Sequence, residues 1–328
     1  MNAYTKKAAP EAMVILAFAT VYLVWGSTYF FIQKAVAHIP PFLMGAMRFV
    51  IAGTIMLVWC IIKGEKIWNP ELIKHAAVTG LLLLFIGNGS VIWAEQALPS
   101  SLVAVLISAA PIWFVILDKP KWRENFKSRS TVIGLVIGFS GVLLLFSDRI
   151  SQVGDSGQNS FQMLSLIIIV VGMVCWAGGS LYSKYKSIGS ATVNSAWQML
   201  IAGIVFIPSS FISGEYKNFH PADVTTESWL SLLYLIIMGS LAAYSAYVWL
   251  LQVRPATQVS TYGYVNPVVA VLLGVFFANE HMGGLQILGL AIILISVLLI
   301  NLAKYKKEKE EKSAAKAAQL MAESALVD

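Results

Sequence analysis

The chain has 328 residues, 58% of them hydrophobic and 12% charged, against roughly 45–50% and 25% in soluble domains. That is too little charge to cover a water-facing surface, which excludes a soluble enzyme or nucleic-acid-binding domain as the body of the molecule. The net charge of +6 sits in short loops and the C-terminal tail between apolar runs, where it carries topology rather than a nucleic-acid footprint.

In chain order, apolar stretches predict helices over 13–37, 41–62, 73–94, 99–118, 130–147, 162–185, 190–212, 229–251, 255–279 and 283–303. Most are near the 20 residues that cross a hydrocarbon core of about 30 Å. The first follows Lys6 and Lys7 and is too long for a signal-peptide core, so it is expected as an uncleaved span. The expected fold class is an all-α integral membrane protein of ten transmembrane helices. Cys60 and Cys175 alone supply neither a disulfide framework nor a metal cluster.

With the N-terminus inside, nineteen of the 23 lysines and arginines fall on the cytoplasmic side. The outer side then holds Lys34, Arg149 and Lys217, with Arg48 inside the second span. This asymmetry obeys the positive-inside rule and predicts that both termini are cytoplasmic. Merging two spans would flip everything downstream and destroy it.

An internal repeat is visible at an offset of 156: Trp93 with Trp249, Gln96 with Gln252, Pro99 with Pro255, Pro111 with Pro267, and Glu124 with Glu280. Nearby offsets pair Trp25 with Trp176, Ala52-Gly53 with Ala202-Gly203, and Gly134 with Gly289. The expected domains are a cytoplasmic N-terminus (1–12), a first five-helix repeat (13–148), an outer linker (149–161), a second repeat (162–303) and a charged tail (304–328). Five crossings per half make the repeat inverted, an architecture of many secondary transporters. Pro111 and Pro267, each 12 residues into its span, are expected to break it near mid-depth and free the carbonyls of Ile107 and Gly263. A packing kink is the alternative for each.

The chain resembles the EamA family of the drug/metabolite transporter superfamily over nearly its whole apolar length. The first half carries the resemblance in Trp25-Gly26-Ser27, Lys34, Arg48-Phe49, Ala52-Gly53, Trp93-Ala94-Glu95-Gln96, Pro99-Ser100, Pro111 and Gly134 to Gly141; the second in Pro255, Asn266-Pro267, Glu280 and Gly289. The run from Trp93 to Pro111 looks most like the YedA-type permeases of that family. The resemblance implies ten helices, a central cavity between the halves, and export of amino acids, other metabolites or toxic cations. Asp118-Lys119-Pro120 departs from the family pattern and leaves the end of the fourth span open.

No carboxylate is expected near mid-depth; Glu95 and Glu280 are the most embedded, toward the outer side. Neither a proton relay, a metal cluster nor a hydrolase site is expected, so the chain is read as no enzyme and without a cofactor. The cavity candidates are Trp25, Asn88, Ser108, Trp176, Tyr244, Tyr247, Tyr262, Tyr264 and Asn266, aromatic and neutral polar groups suited to an amphipathic, aromatic or cationic solute. Helix packing is the competing role for the aromatics. Arg48 is expected to snorkel or to pair with an acid such as Glu95; holding a substrate carboxylate is the alternative. Glu124 and Glu280 are expected to cap the helices they precede.

The expected partners are a small-molecule substrate and the lipid bilayer, without nucleic acid. The expected function is a secondary transporter of the bacterial inner membrane, exporting small metabolites or drugs by alternating access. A membrane receptor or scaffold that binds without transporting is the alternative.

Overall fold

The structure is a computed structural model, described here for residues 10–98, 100–145, 160–217, 219–278 and 283–301. Residues 149–159 of the outer linker, the charged tail, Pro99 and Glu280 lie outside these residues, as does most of the N-terminal segment. Among the described residues the regular structure is helical and contains no strand.

The helices are α1 (Glu11–Val36), α2 (Pro41–Ile62), α3 (Pro70–Ala94), α4 (Ser100–Ile107), α5 (Ala110–Leu117), α6 (Trp122–Lys127) and α7 (Arg129–Leu145). They continue with α8 (Ser160–Lys186), α9 (Ala191–Ile212), α10 (Thr226–Val253), α11 (Ala256–Val259), α12 (Tyr262–Ala278) and α13 (Gly284–Asn301). Seven are long and apolar enough to cross a membrane: α1, α2, α3, α8, α9, α10 and α13. The remaining apolar stretches are shorter or broken. Large apolar side chains such as Leu16, Ile55, Val136, Ile167, Ile204 and Leu298 are exposed around the bundle, which suits contact with lipid tails.

Local chemistry sets the helix ends. Asn69 caps α3 through its side chain, with Pro70 at the first position, and Thr225 caps α10. Both helices therefore start three residues before the sequence expectation, because cap and proline act before the apolar run begins. Ser128, rather than Glu124, accepts the Thr131 amide at the start of α7. Glu124 instead belongs to α6 and pairs with Lys121 at 2.9 Å, and at Asp118-Lys119-Pro120 the chain bends by 71°. Within the apolar helices, the hydroxyls of Thr20, Ser27, Thr28 and Ser195 donate to carbonyls three or four residues earlier, so they need no partner from lipid.

Two long helices carry a widened turn of i→i+5 bonds, Leu81–Asn88 in α3 and Leu235–Tyr244 in α10. The 156-residue offset carries 81 and 88 onto 237 and 244, inside the second widened turn. The fourth apolar stretch breaks between α4 and α5 at Ser108–Ala109, just before Pro111. The ninth breaks between α11 and α12 at Ser260–Thr261, not at Pro267, which lies inside α12. There the backbone tightens to i→i−3 bonds, from Gly263 to Ser260 and from Tyr264 to Thr261, while the Tyr22 hydroxyl holds the Thr261 hydroxyl at 2.6 Å. A tertiary contact thus helps to set the break.

The two broken stretches meet at residues related by the same offset: a Cβ placed on Gly263 would lie 3.0 Å from Cδ of Pro111 and 3.5 Å from the Ile107 carbonyl oxygen. α2 and α9 run along each other in opposite directions. A Cβ on Gly53 would lie 2.5 Å from the Leu200 amide nitrogen, and one on Gly203 would lie 2.5 Å from the Val50 amide nitrogen. The contacts are reciprocal, since a shift of 150 carries 53 to 203 and 50 to 200. α7 and α13 repeat the pattern: Gly134 meets Ile300 while Gly289 meets Leu145, residues related by a shift of 155.

Candidate functional site

A cavity of about 70 Å³ lies among α1, α2, α3, α8 and the two broken stretches. α1 supplies Trp25, Thr28, Tyr29 and Ile32, at spacings of three, four and seven that put them on one helical face. α8 supplies Ile169, Gly172, Met173 and Trp176, the same spacings counted backward from its tryptophan. Both faces lead from a tryptophan toward one end of the bundle, although the two chains run in opposite directions.

The tryptophans meet edge to face, ring centroids 5.5 Å apart. Trp25 also packs against Tyr247 at 4.9 Å and Tyr262 at 5.1 Å. The Trp25 indole donates to the carbonyl of Gly239 at 3.2 Å, in the widened turn of α10. The Trp176 indole donates to the Tyr247 hydroxyl at 3.1 Å, which is also bonded to Ser180. These rings form a floor. Toward the other end of the bundle, Lys184 donates to the carbonyls of Leu251 and Arg254, and Tyr185 donates to Asp118 at 2.6 Å.

Arg48 of α2 lines the cavity and is 3% exposed. Its Nε donates to Ser240 at 2.9 Å and Nη1 to the Asn88 amide oxygen at 3.4 Å, one partner from each widened turn. Its guanidinium also lies 4.9 Å over the Phe49 ring. Glu95 does not pair with it, against the sequence expectation; that carboxylate is 5% exposed, lies outside the cavity lining, and has no hydrogen-bond partner on either oxygen. Asn266 also lines the cavity, with its amide oxygen buried and unpartnered.

Of the cavity candidates, Trp25, Asn88, Trp176, Tyr262 and Asn266 come together in the lining. Tyr247 stands directly behind the tryptophans. Ser108, Tyr244 and Tyr264 are placed elsewhere: their hydroxyls donate to the Val105 carbonyl, the Gln198 amide oxygen and the Leu135 carbonyl. Pro111 and Pro267 do not line the cavity, although Ile107, the carbonyl that Pro111 frees, does. Thr28, Tyr29, Ile32 and Met173 were missed. The three-and-four spacing from each tryptophan was the available signal. No cluster able to hold a metal occurs among the described residues.

Two stretches, residues 12–147 and 163–302, each match the EamA-like transporter family. YedA of Escherichia coli strain K12, an uncharacterized inner membrane transporter, is 35% identical over 87% of this chain and 89% of its own length. The uncharacterized transporter YvbV of Bacillus subtilis is 26% identical over 94% of this chain and 97% of its own. A solved crystal structure shares the fold, with a TM-score of 0.70 at 19% identity, covering 92% of this chain and 100% of that one. The chain belongs to the EamA-like transporter family, whose members sit in membranes and act on small molecules.

Proposed function

We propose that the protein is a ten-span secondary carrier that exports small metabolites or drugs across a bacterial inner membrane by alternating access. Residues 13–148 and 162–303 form inverted halves, joined on the outside by 149–161, with both termini and the tail 304–328 in the cytoplasm. The observation that carries the reading is the cavity itself, walled equally by α1 and α8 at the crossing of the two broken stretches. Broken helices at corresponding places in inverted repeats are where such carriers bind their solutes.

The reciprocal contacts of Gly53 with Leu200 and of Gly203 with Val50 support a two-fold axis in the membrane plane. Glu215, beyond the end of α9, bonds Phe42 and Leu43 at the start of α2, which makes the pair antiparallel. With the positive residues inside, the cavity occupies the outer half and the aromatic floor separates it from the cytoplasm. Trp25, Asn88, Trp176, Tyr262 and Asn266 form its binding surface, backed by Tyr247.

Solute flux into and out of proteoliposomes containing the purified protein tests the proposal. Saturable exchange of a labelled solute that the protein also binds is expected. Binding without flux would make it a receptor or scaffold instead.

A further inference from the structure

We propose that the cavity selects organic anions: solutes whose carboxylate docks on Arg48 and whose flat apolar body lies against Trp25, Trp176 and Tyr262. The inference rests on the binding cavity of the proposed carrier and names the charge of what fills it. Its basis is an imbalance. Removing a guanidinium from water costs several kcal/mol unless a counter-charge or a full set of acceptors replaces the water. Arg48 has two neutral acceptors, Ser240 and Asn88, and no carboxylate within 4.0 Å among the described residues. Among the described residues its Nη2 donors have no acceptor, and the side chain borders the cavity.

The second half contains an internal control. The shift of 150 that relates Gly53 to Gly203 carries 48 to 198, and the shift of 156 carries 88 to 244. At those positions Gln198 and Tyr244 form a neutral hydrogen bond of 2.7 Å, with Gln198 0% exposed. The scaffold therefore builds this polar junction without a charge. In the first half the same junction carries a cation and faces the cavity.

No other lining residue balances it. Among the described residues the lining contains neither aspartate nor glutamate, so an ammonium group meets ring faces but no opposite charge. Asn266 is neutral and can present oxygen or nitrogen by turning its amide. A carboxylate, by contrast, matches the planar fork of an arginine and can accept two parallel bonds from it.

Isothermal titration of the purified full-length protein with three probes of one shape tests this: 3-phenylpropanoate, 3-phenylpropanamide and 2-phenylethylamine. The parent should bind the carboxylate about tenfold or more tighter than the neutral amide, with the amine weakest. Arg48→Gln, which copies the neutral residue of the second half, should bind carboxylate and amide alike. Arg48→Lys should retain part of the preference. Equal or tighter binding of the amine by the parent overturns the proposal, as does binding of none of the three, or an Arg48→Gln protein that still prefers the carboxylate. The parent's ranking decides even if Arg48→Gln misfolds. Flux measured in parallel separates the two readings: anion preference without flux refutes the carrier and leaves the anion site, whereas flux without preference does the reverse.

Discussion

Trp25 and Trp176 stand 151 residues apart in the chain and touch edge to face at 5.5 Å, each the last cavity-lining residue of its helix face. Such an aromatic pair contributes about 0.5–1.5 kcal/mol beyond its buried area. The same rings wall the cavity, so truncation should act on the ligand as well as on the fold. Trp25→Ala, Trp176→Ala and Asn88→Ala proteins are expected to express near the parent level but to bind substrate at least severalfold more weakly. Titration calorimetry after fluorescence-monitored gel filtration checks both parts. Parent-like affinity in all three would remove the cavity assignment.

The crossing of α2 and α9 should tolerate no side chain. Gly53→Val and Gly203→Val place atoms against backbone nitrogen, where neighbours cannot rotate away, at an expected cost of about 1–3 kcal/mol each. Gly178 of α8 has nothing within 4 Å of a built Cβ, and Gly178→Ala should be neutral or stabilising by up to about 1 kcal/mol. Melting temperatures in detergent give the comparison. Equal behaviour at the three positions would contradict the close packing.

Glu95 lines no part of the cavity and has no partner to lose. Glu95→Gln is therefore expected to exchange labelled substrate within about twofold of the parent and to melt no lower, since a buried carboxyl without a hydrogen-bond partner is replaced by an uncharged amide of the same shape. Substrate-driven proton flux in proteoliposomes decides its role. Robust flux in the parent that the substitution abolishes in a folded protein would make Glu95 the coupling group.

Glu215 lies beyond the end of α9 and accepts the amides of Phe42 and Leu43 at 3.2 and 2.9 Å, at the first turn of α2. Burial raises its pKa, and the two amide bonds only partly oppose this. The folded protein thus holds the proton more tightly than the unfolded chain. Its contribution to stability is fully present below the ordinary carboxylate pKa of about 4.3 and is lost as pH rises through the higher folded value. Melting curves across that window should show this decline in the parent and a flatter profile in Glu215→Gln.

Reporter fusions within residues 119–129 and after Asp328 should both read cytoplasmic. The basis is the distribution of lysine and arginine. A periplasmic signal from either would remove the inverted ten-span arrangement.

Much of the helical layout was legible because lipid demands long apolar runs, and rare residues such as Trp25 and Trp176 marked one face of each half. The widened turns of α3 and α10 were not, since i→i+5 bonding has no residue signature. The break at Ser260–Thr261 was drawn to Pro267 in the sequence because a proline is conspicuous, whereas the contact from Tyr22 is invisible before folding. Arg48 was paired with Glu95 on proximity along helices. Hydroxyl and amide groups on the widened turns took that place instead.

At Gly53 and Gly203, α2 and α9 meet backbone against backbone. In the proposed carrier, a motion that opens the other end would turn about these two close approaches as a fulcrum. The Tyr185–Asp118 bond, far along that lever at the opposite end from the cavity, would have to part while Gly53 and Leu200 keep their distance.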